Sequence, residues 1–271
     1  MTRKIKRFIS YAILIIASLL SVFPLYYMLS GATNKSIDIV RGRLIPGGYL
    51  MENFKTLVAN QNLGLAMFNS FRNAILITII SLLVCSIAGY GFEIYHDKGK
   101  DTLMSILLLA MMLPFVALMI PLFKMFSSMG LVNSWIALVL PSVSTPFMIM
   151  LFRQASRSFP IDIIEASRLE GMSEVAIFFR MYVPIMKSTY GAAMTVTFMN
   201  AWNNYLWPLL VIRSSDKYTL TLGLNTLINP YGDNYSLLVV GSFFSIVPIF
   251  ILFVCFQKYF IEGMTAGAVK E

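Results

Sequence analysis

Six stretches of this chain run for about 20 residues or more without a charged side chain, long enough for an α-helix to cross the hydrocarbon core of a bilayer. They lie between Arg7 and Lys35, Arg72 and Glu93, Asp101 and Lys124, Lys124 and Arg153, Lys187 and Arg213, and Asp233 and Lys258. The fourth opens on a polar break (Ser127, Ser128, Gly130, Asn133) and crosses from about Trp135. The expected fold is therefore an all-α integral membrane protein with one membrane domain over residues 1–271. Its six spans fall at about 9–30, 71–92, 104–126, 135–152, 189–212 and 237–257. Composition agrees, with 58% hydrophobic and 13% charged residues, where ordinary soluble domains are nearer one quarter charged. No room is left for a separate soluble catalytic domain.

The net charge of +8 speaks to topology rather than to nucleic acid, because basic residues beside membrane spans collect on the cytoplasmic side. With the N-terminus inside, Arg3, Lys4, Lys6 and Arg7, the 153–188 loop, and the C-terminal lysines all fall inside. Both termini are then expected to be cytoplasmic. A basic cluster before an apolar run also fits a cleaved signal peptide, but this run reaches Leu29, contains Pro24 and shows no small-residue cleavage site. A retained first span is the expectation. An outside segment follows it, with a Pro46-Gly47-Gly48 turn and a short amphipathic piece around 53–58.

Some chemistry is missing. None of the spans carries a charge at its middle, where ion-coupled transporters place an ionisable residue. The G-x-x-x-x-G-K-[ST] phosphate loop is absent, so ATP hydrolysis by that route is not expected of this chain. His96 reads as a solvated loop residue, and Cys85 and Cys255 as buried core thiols with no metal-ligand spacing. No catalytic residue and no metal site are expected. Energy for any work must come from another polypeptide.

The place for that polypeptide is a charged island between spans, FPIDIIEASRLEGMSEVAIFFRMYVPIMKS, residues 159–188. Pro160 suits a first helical turn, and Asp162 and Glu165 complement the positive end of the helix dipole. Gly171 is placed to end that helix in a left-handed conformation. Ser173 and Glu174 can open a second helix, which Pro184 is expected to break. A helix–glycine–helix elbow too polar to cross a bilayer lies on the membrane surface.

Glu165-Ala166-Ser167, then Gly171, then Pro184, resembles the E-A-A-x-x-x-G loop of permease subunits of ATP-binding-cassette (ABC) importers. Ser167 stands where the family has a second Ala, Glu170 for Asp, Met172 for a small residue and Ser188 for a second Pro. The run FMNAWNNYLWPLLVI, residues 198–212, is similar to the W-N-x-(F/Y)-x-x-P-L run of carbohydrate-uptake permeases. The tail QKYFIEGMTAGAVKE resembles the second membrane subunit of that family, of which the maltose transporter supplies the familiar member. The resemblance implies a type I ABC importer permease fold with a cytoplasmic coupling loop over 153–188. It implies a second, non-identical permease subunit, two ATPase subunits that bind ATP and Mg, and an extracytoplasmic sugar-binding protein. No cofactor belongs to this chain in that picture. Glu165, Ala166, Ser167, Gly171 and Pro184 would couple it to the ATPase.

For substrate, Asn200, Asn203, Asn204 and Trp207 recur at helical spacing, with Trp202 and Tyr205 beside them. Amides match sugar hydroxyls and aromatic rings match the apolar ring faces. The same residues also suit helix packing and interfacial anchoring, so lining and packing both stand. Two rival functions stand beside the sugar importer: an ABC importer of another solute, and a self-sufficient secondary transporter. A polyamine importer would place acidic residues in its spans, and none are there.

Overall fold

The computed structural model describes residues 3–227 and 235–265, and every regular element among them is helical. In chain order the first six helices are α1 (Arg3–Ala32), α2 (Ser36–Val40), α3 (Leu50–Asn60), α4 (Leu63–Ile94), α5 (Lys98–Ala110) and α6 (Phe115–Ser128). Next come α7 (Trp135–Val139), α8 (Pro146–Ser156), α9 (Ile161–Leu169), α10 (Glu174–Ile177) and α11 (Val183–Ile185). The last four are α12 (Lys187–Trp202), α13 (Leu206–Val211), α14 (Leu220–Asn225) and α15 (Tyr235–Thr265). They fall into two compact units, Met1–Leu63 with Gly223–Pro248, and Gly64–Leu222 with Ile249–Glu271.

The first unit is built on α1, whose apolar side chains from Phe8 to Phe23 are largely exposed, as a lipid-facing helix requires. Its last carbonyls are capped by amides. Asn53 Nδ2 donates to the carbonyls of Ala32 (3.0 Å) and Asn34 (2.9 Å), and Asn34 Nδ2 donates to those of Ser30 and Ile45. Tyr26 and Ser30 hydroxyls both donate to the Leu44 carbonyl, stitching the linker onto the helix end. Gly47 passes so close that a Cβ there would lie 2.6 Å from Asn34 Oδ1 and from the Thr33 carbonyl. The amphipathic piece expected near 53–58 is α3.

In the second unit α4 carries the core. Cys85, Met104, Met148, Ile149, Phe152 and Ala193 form one buried cluster. Gly89 lets α8 approach, since a Cβ at that position would meet Phe152 Cβ at 2.6 Å and the Arg153 amide nitrogen at 2.7 Å. The other free cysteine departs from expectation: Cys255 is exposed, on the face of α15 that also exposes Ile251 one turn earlier. An apolar thiol tolerates lipid as well as a core.

Among the described residues, three helices are long and apolar enough to cross a membrane: Arg7–Ala32, Leu63–Ile94 and Tyr235–Lys258. The other apolar runs are interrupted. The run at 104–126 bends by 100° between α5 and α6, where Pro114 precedes the new helix, and that at 135–152 bends by 43° between α7 and α8. Counting each bent pair as one span gives up to five. The run at 189–212 is α12, sixteen residues long, and α13, separated by Asn203–Tyr205. Proline accounts for the first interruption, and Thr145 with Pro146 for the second, where the Thr145 hydroxyl caps the new helix.

Candidate functional site

The elbow forms, and for the reasons its sequence gives. Ile161–Leu169 is helical, with Pro160 one position earlier than expected, as the N-cap. Gly171 has φ +79°. The Met172 amide donates to the Ser167 carbonyl and the Gly171 amide to that of Arg168, both at 3.0 Å, which closes the helix with a Schellman pair. Nothing lies within 4 Å of where a Cβ would sit on Gly171, so backbone conformation alone demands glycine there. Ser173 Oγ accepts from the Ala176 amide and opens α10.

Pro184 does not stop the chain's helical course, contrary to expectation. The backbone widens into a π-helical turn over Phe178–Tyr182, then continues through Pro184 to Ile185. A wider turn moves the carbonyl that the pyrrolidine ring would strike. The break falls at Met186, with φ −85° and ψ 18°, before α12 starts.

The elbow is held rigidly from beneath. Tyr90, Phe159, Ile164, Ile177, Phe178, Tyr182 and Met186 form a buried cluster, in which Tyr90 and Tyr182 ring centroids are 4.8 Å apart. The Tyr182 and Ser156 hydroxyls pair at 2.6 Å. Above this base the expected coupling residues divide. Ser167 is buried, its hydroxyl donating to the Ile163 carbonyl at 2.7 Å. Glu165 and Ala166 are exposed, and the Glu165 carboxylate has no partner among the described residues. Leu169, at the tip, is 90% exposed.

Ion pairs that sequence reasoning missed surround the elbow. Arg168 donates from Nε to Glu174 Oε1 (2.7 Å) and from a second nitrogen to Oε2 (3.3 Å), across the Gly171 turn. The Tyr95 hydroxyl also bonds Glu174, and the Arg168 guanidinium lies over the Tyr95 ring. The Arg168 hydrogen bonds, then that from Tyr95, hold the Glu174 carboxyl below the usual carboxylate range. Burial, then the bond to Glu174, pushes the Tyr95 phenol up. Arg153 reaches Glu93 at 3.2 Å and Asp101 at 2.5 Å, and Asp101 is held low chiefly by that arginine. His96, expected as a solvated loop residue, pairs with Asp101 at 2.9 Å. Only the charge-rich loop EIYHDKGKD hinted at this, and periodicity could not say what it would touch.

The substrate-pathway residues also divide. Trp202 is buried, its ring stacked on Phe198 (centroids 5.7 Å apart) and edge-on to Phe71 (4.8 Å). Trp207 is fully buried, and its Nε1–H donates to the Ala137 carbonyl at 2.7 Å. Both indoles therefore pack the chain in this conformation and offer no free face to a ligand; Trp207 is a core residue, not an interfacial anchor. Asn200 and Asn203 are exposed, and Asn204 and Tyr205 are half-buried. The α12–α13 interruption thus leaves amides, and not indoles, open to solvent or to other chains. Beyond α13, Asn133 holds the following loop. It has φ 61°, and its Oδ1 accepts from the amides of Arg213 and Ser214 and from the Ser214 hydroxyl.

Residues 94–266 match the family described as binding-protein-dependent transport system inner membrane component. The chain is 40% identical over 268 residues to the lactose transport system permease protein LacG of Rhizobium radiobacter, covering 99% of this chain and 98% of that one. It is 37% identical to the arabinooligosaccharides transport system permease protein AraQ of Bacillus subtilis, covering 93% and 92%. In fold it is similar to a chain of a bacterial ABC transporter involved in the import of the acidic polysaccharide alginate, with TM-score 0.85, 20% identity, and 96% and 99% of the two chains covered. The last six residues of the QKYFIEGMTAGAVKE tail, 266–271 with Lys270 among them, lie outside the described residues.

Proposed function

The chain belongs to the binding-protein-dependent transport system inner membrane components, and on that premise we propose that it is the permease subunit of a sugar or oligosaccharide importer. The names of its relatives support the substrate class, and the neutral, amide-bearing interruption after α12 suits it. In this reading the chain forms half of a translocation pathway with a second, unlike permease. Two ATPase subunits bind ATP and Mg, a soluble binding protein delivers the sugar, and this chain does no hydrolysis itself. The termini and the 153–188 loop face the cytoplasm, and the interrupted runs complete a six-span domain.

One observation carries the coupling role: Glu165 and Leu169 stand exposed on a helix whose opposite side is fixed in an aromatic core. A rigid, outward-facing helix transmits displacement, where a mobile loop would absorb it. Glu165 anchors the elbow by charge-assisted hydrogen bonds to a basic residue of the ATPase. Glu165→Leu should leave the chain inserted while the ATPase dissociates or loses stimulation by loaded binding protein. Normal stimulation in that variant would refute the docking role. For the pathway, Asn203→Ala should lower uptake with the complex intact; unchanged uptake would move the sugar contacts to the partner permease.

A further inference from the structure

We propose that Arg153 is a positioning residue that latches the elbow to the ends of α4 and α5, so that movement of the elbow carries both helices with it. This rests on the elbow being the point where force enters. The side chain of Arg153 is only 10% exposed, in the last turn of α8 just before the elbow. A buried guanidinium needs anionic partners, and this one takes them from two different elements. Glu93, in the last turn of α4, accepts from Nε at 3.2 Å, and Asp101, in the first turn of α5, accepts from another nitrogen at 2.5 Å. A planar fork can serve two carboxylates at once, where a lysine supplies a point charge. Arg157, one turn further on, adds a contact to Glu93 at 3.6 Å.

The same loop grips the elbow a second time. Tyr95 bonds Glu174 beyond the Gly171 turn, and Arg168 closes on the same carboxylate. The nine residues from Glu93 to Asp101 are thus tied to the elbow at its entry and past its bend. Greasy packing alone would let these pieces slide, whereas directional ion pairs fix their register. The cation is shared by three helices, which a local surface ion pair does not achieve.

The test uses nitroxides on Leu103→Cys and Leu169→Cys, in a Cys255→Ser background, with the full chain in lipid nanodiscs. Both sites are exposed. Without nucleotide, a single narrow distance is expected. Arg153→Met should lose that narrow distance, and Arg153→Lys should recover part of it. Asp101→Asn, which removes the more exposed carboxylate and spares the Arg153–Glu93 pair, should give an intermediate width without loss of folded protein. In the complex with its ATPase, the Met variant should hydrolyse ATP while uptake per ATP falls. A distance as narrow in Arg153→Met and Asp101→Asn as in the parent overturns the latch. The nucleotide-free measurement needs no ATPase, so failure of the docking reading alone would leave the narrow distance and its loss in Arg153→Met unchanged.

Discussion

Replacing Gly89 by alanine tests the joint on which the elbow's lead-in helix rests. The added methyl would lie 2.6 Å from Phe152 Cβ, 2.7 Å from the Arg153 nitrogen and 2.9 Å from the Phe152 carbonyl carbon. Two of these are backbone atoms, which cannot swing aside as a side-chain tip can. Carbon contacts settle at about 3.5–4.0 Å, so α4 and α8 must part by roughly 1 Å. Overpacking of this kind costs about 1–3 kcal/mol, and relief of the glycine's helical penalty returns about 0.5–1 kcal/mol. The net loss lies between about 0 and 2.5 kcal/mol and centres on about 1.3 kcal/mol, and since about 1.4 kcal/mol is tenfold in an equilibrium constant, unfolding should be roughly tenfold more favourable. The same parting would stretch the Arg153–Glu93 contact, now 3.2 Å, beyond hydrogen-bond length. The assay is reversible unfolding in mixed micelles, with Gly91→Ala as control because nothing lies within 4 Å of a Cβ there. Gly91→Ala should be neutral or stabilising. Equal midpoints for the two variants would show that the backbones yield freely and that the close approach sets nothing.

Gly171→Ala meets open space, so its whole cost is the left-handed backbone, about 1–2 kcal/mol. Amide exchange at Met172 should quicken, and unchanged exchange would mean that the Schellman pair does not depend on that conformation. Trp207→Phe leaves the Ala137 carbonyl buried without its donor, at a cost of about 1–3 kcal/mol that a shifted denaturation midpoint would report. On pH, the Glu174 and Asp101 carboxyls are held low by Arg168 and Arg153 respectively, so their contribution is present above the ordinary carboxylate range of about 4 and fades as pH falls through the lowered values. The Leu103–Leu169 spin-label distance should therefore hold steady from neutral pH to about 5 and loosen only under stronger acid; loosening near pH 6 would point to another group. Tyr95 has the opposite sign: its phenol is raised, so its share is full below the ordinary value of about 10 and is lost as pH climbs past the raised one.

Much of this architecture was legible in the sequence, because membrane helices announce themselves by length and by absence of charge. The elbow was legible too: proline before, glycine after and serine to restart are local signals, and the Schellman pair at Gly171 and the Ser173 hydroxyl cap answer the last two. What escaped was what local signals cannot carry. Pro184 reads as a stop, yet a wide turn upstream absorbs it. Trp202 and Trp207 read as faces for a ring-shaped ligand, yet Trp202 packs on Phe198 and Phe71, and Trp207 is buried beside Phe126 with its N–H on the Ala137 carbonyl; all but Phe198 lie far away in sequence. Arg153 reads as a topology marker, yet it is nearly buried between carboxylates contributed by two other helices. Pairing across long sequence separation depends on the packed arrangement, which one chain read residue by residue does not display.

The π-helical turn at Phe178–Tyr182 also fixes an angle. One additional residue in a turn amounts to about 100° of rotation about the axis. Whatever side α12 presents, with Asn200 and Asn203 near its far end, is therefore set by that swelling together with the break at Met186. Excising a single residue from 178–182 would rewind the swelling into ordinary helix and swing those amides through the same arc. An elbow transplanted onto another permease without its swollen turn would arrive intact and lead into a helix facing the wrong way.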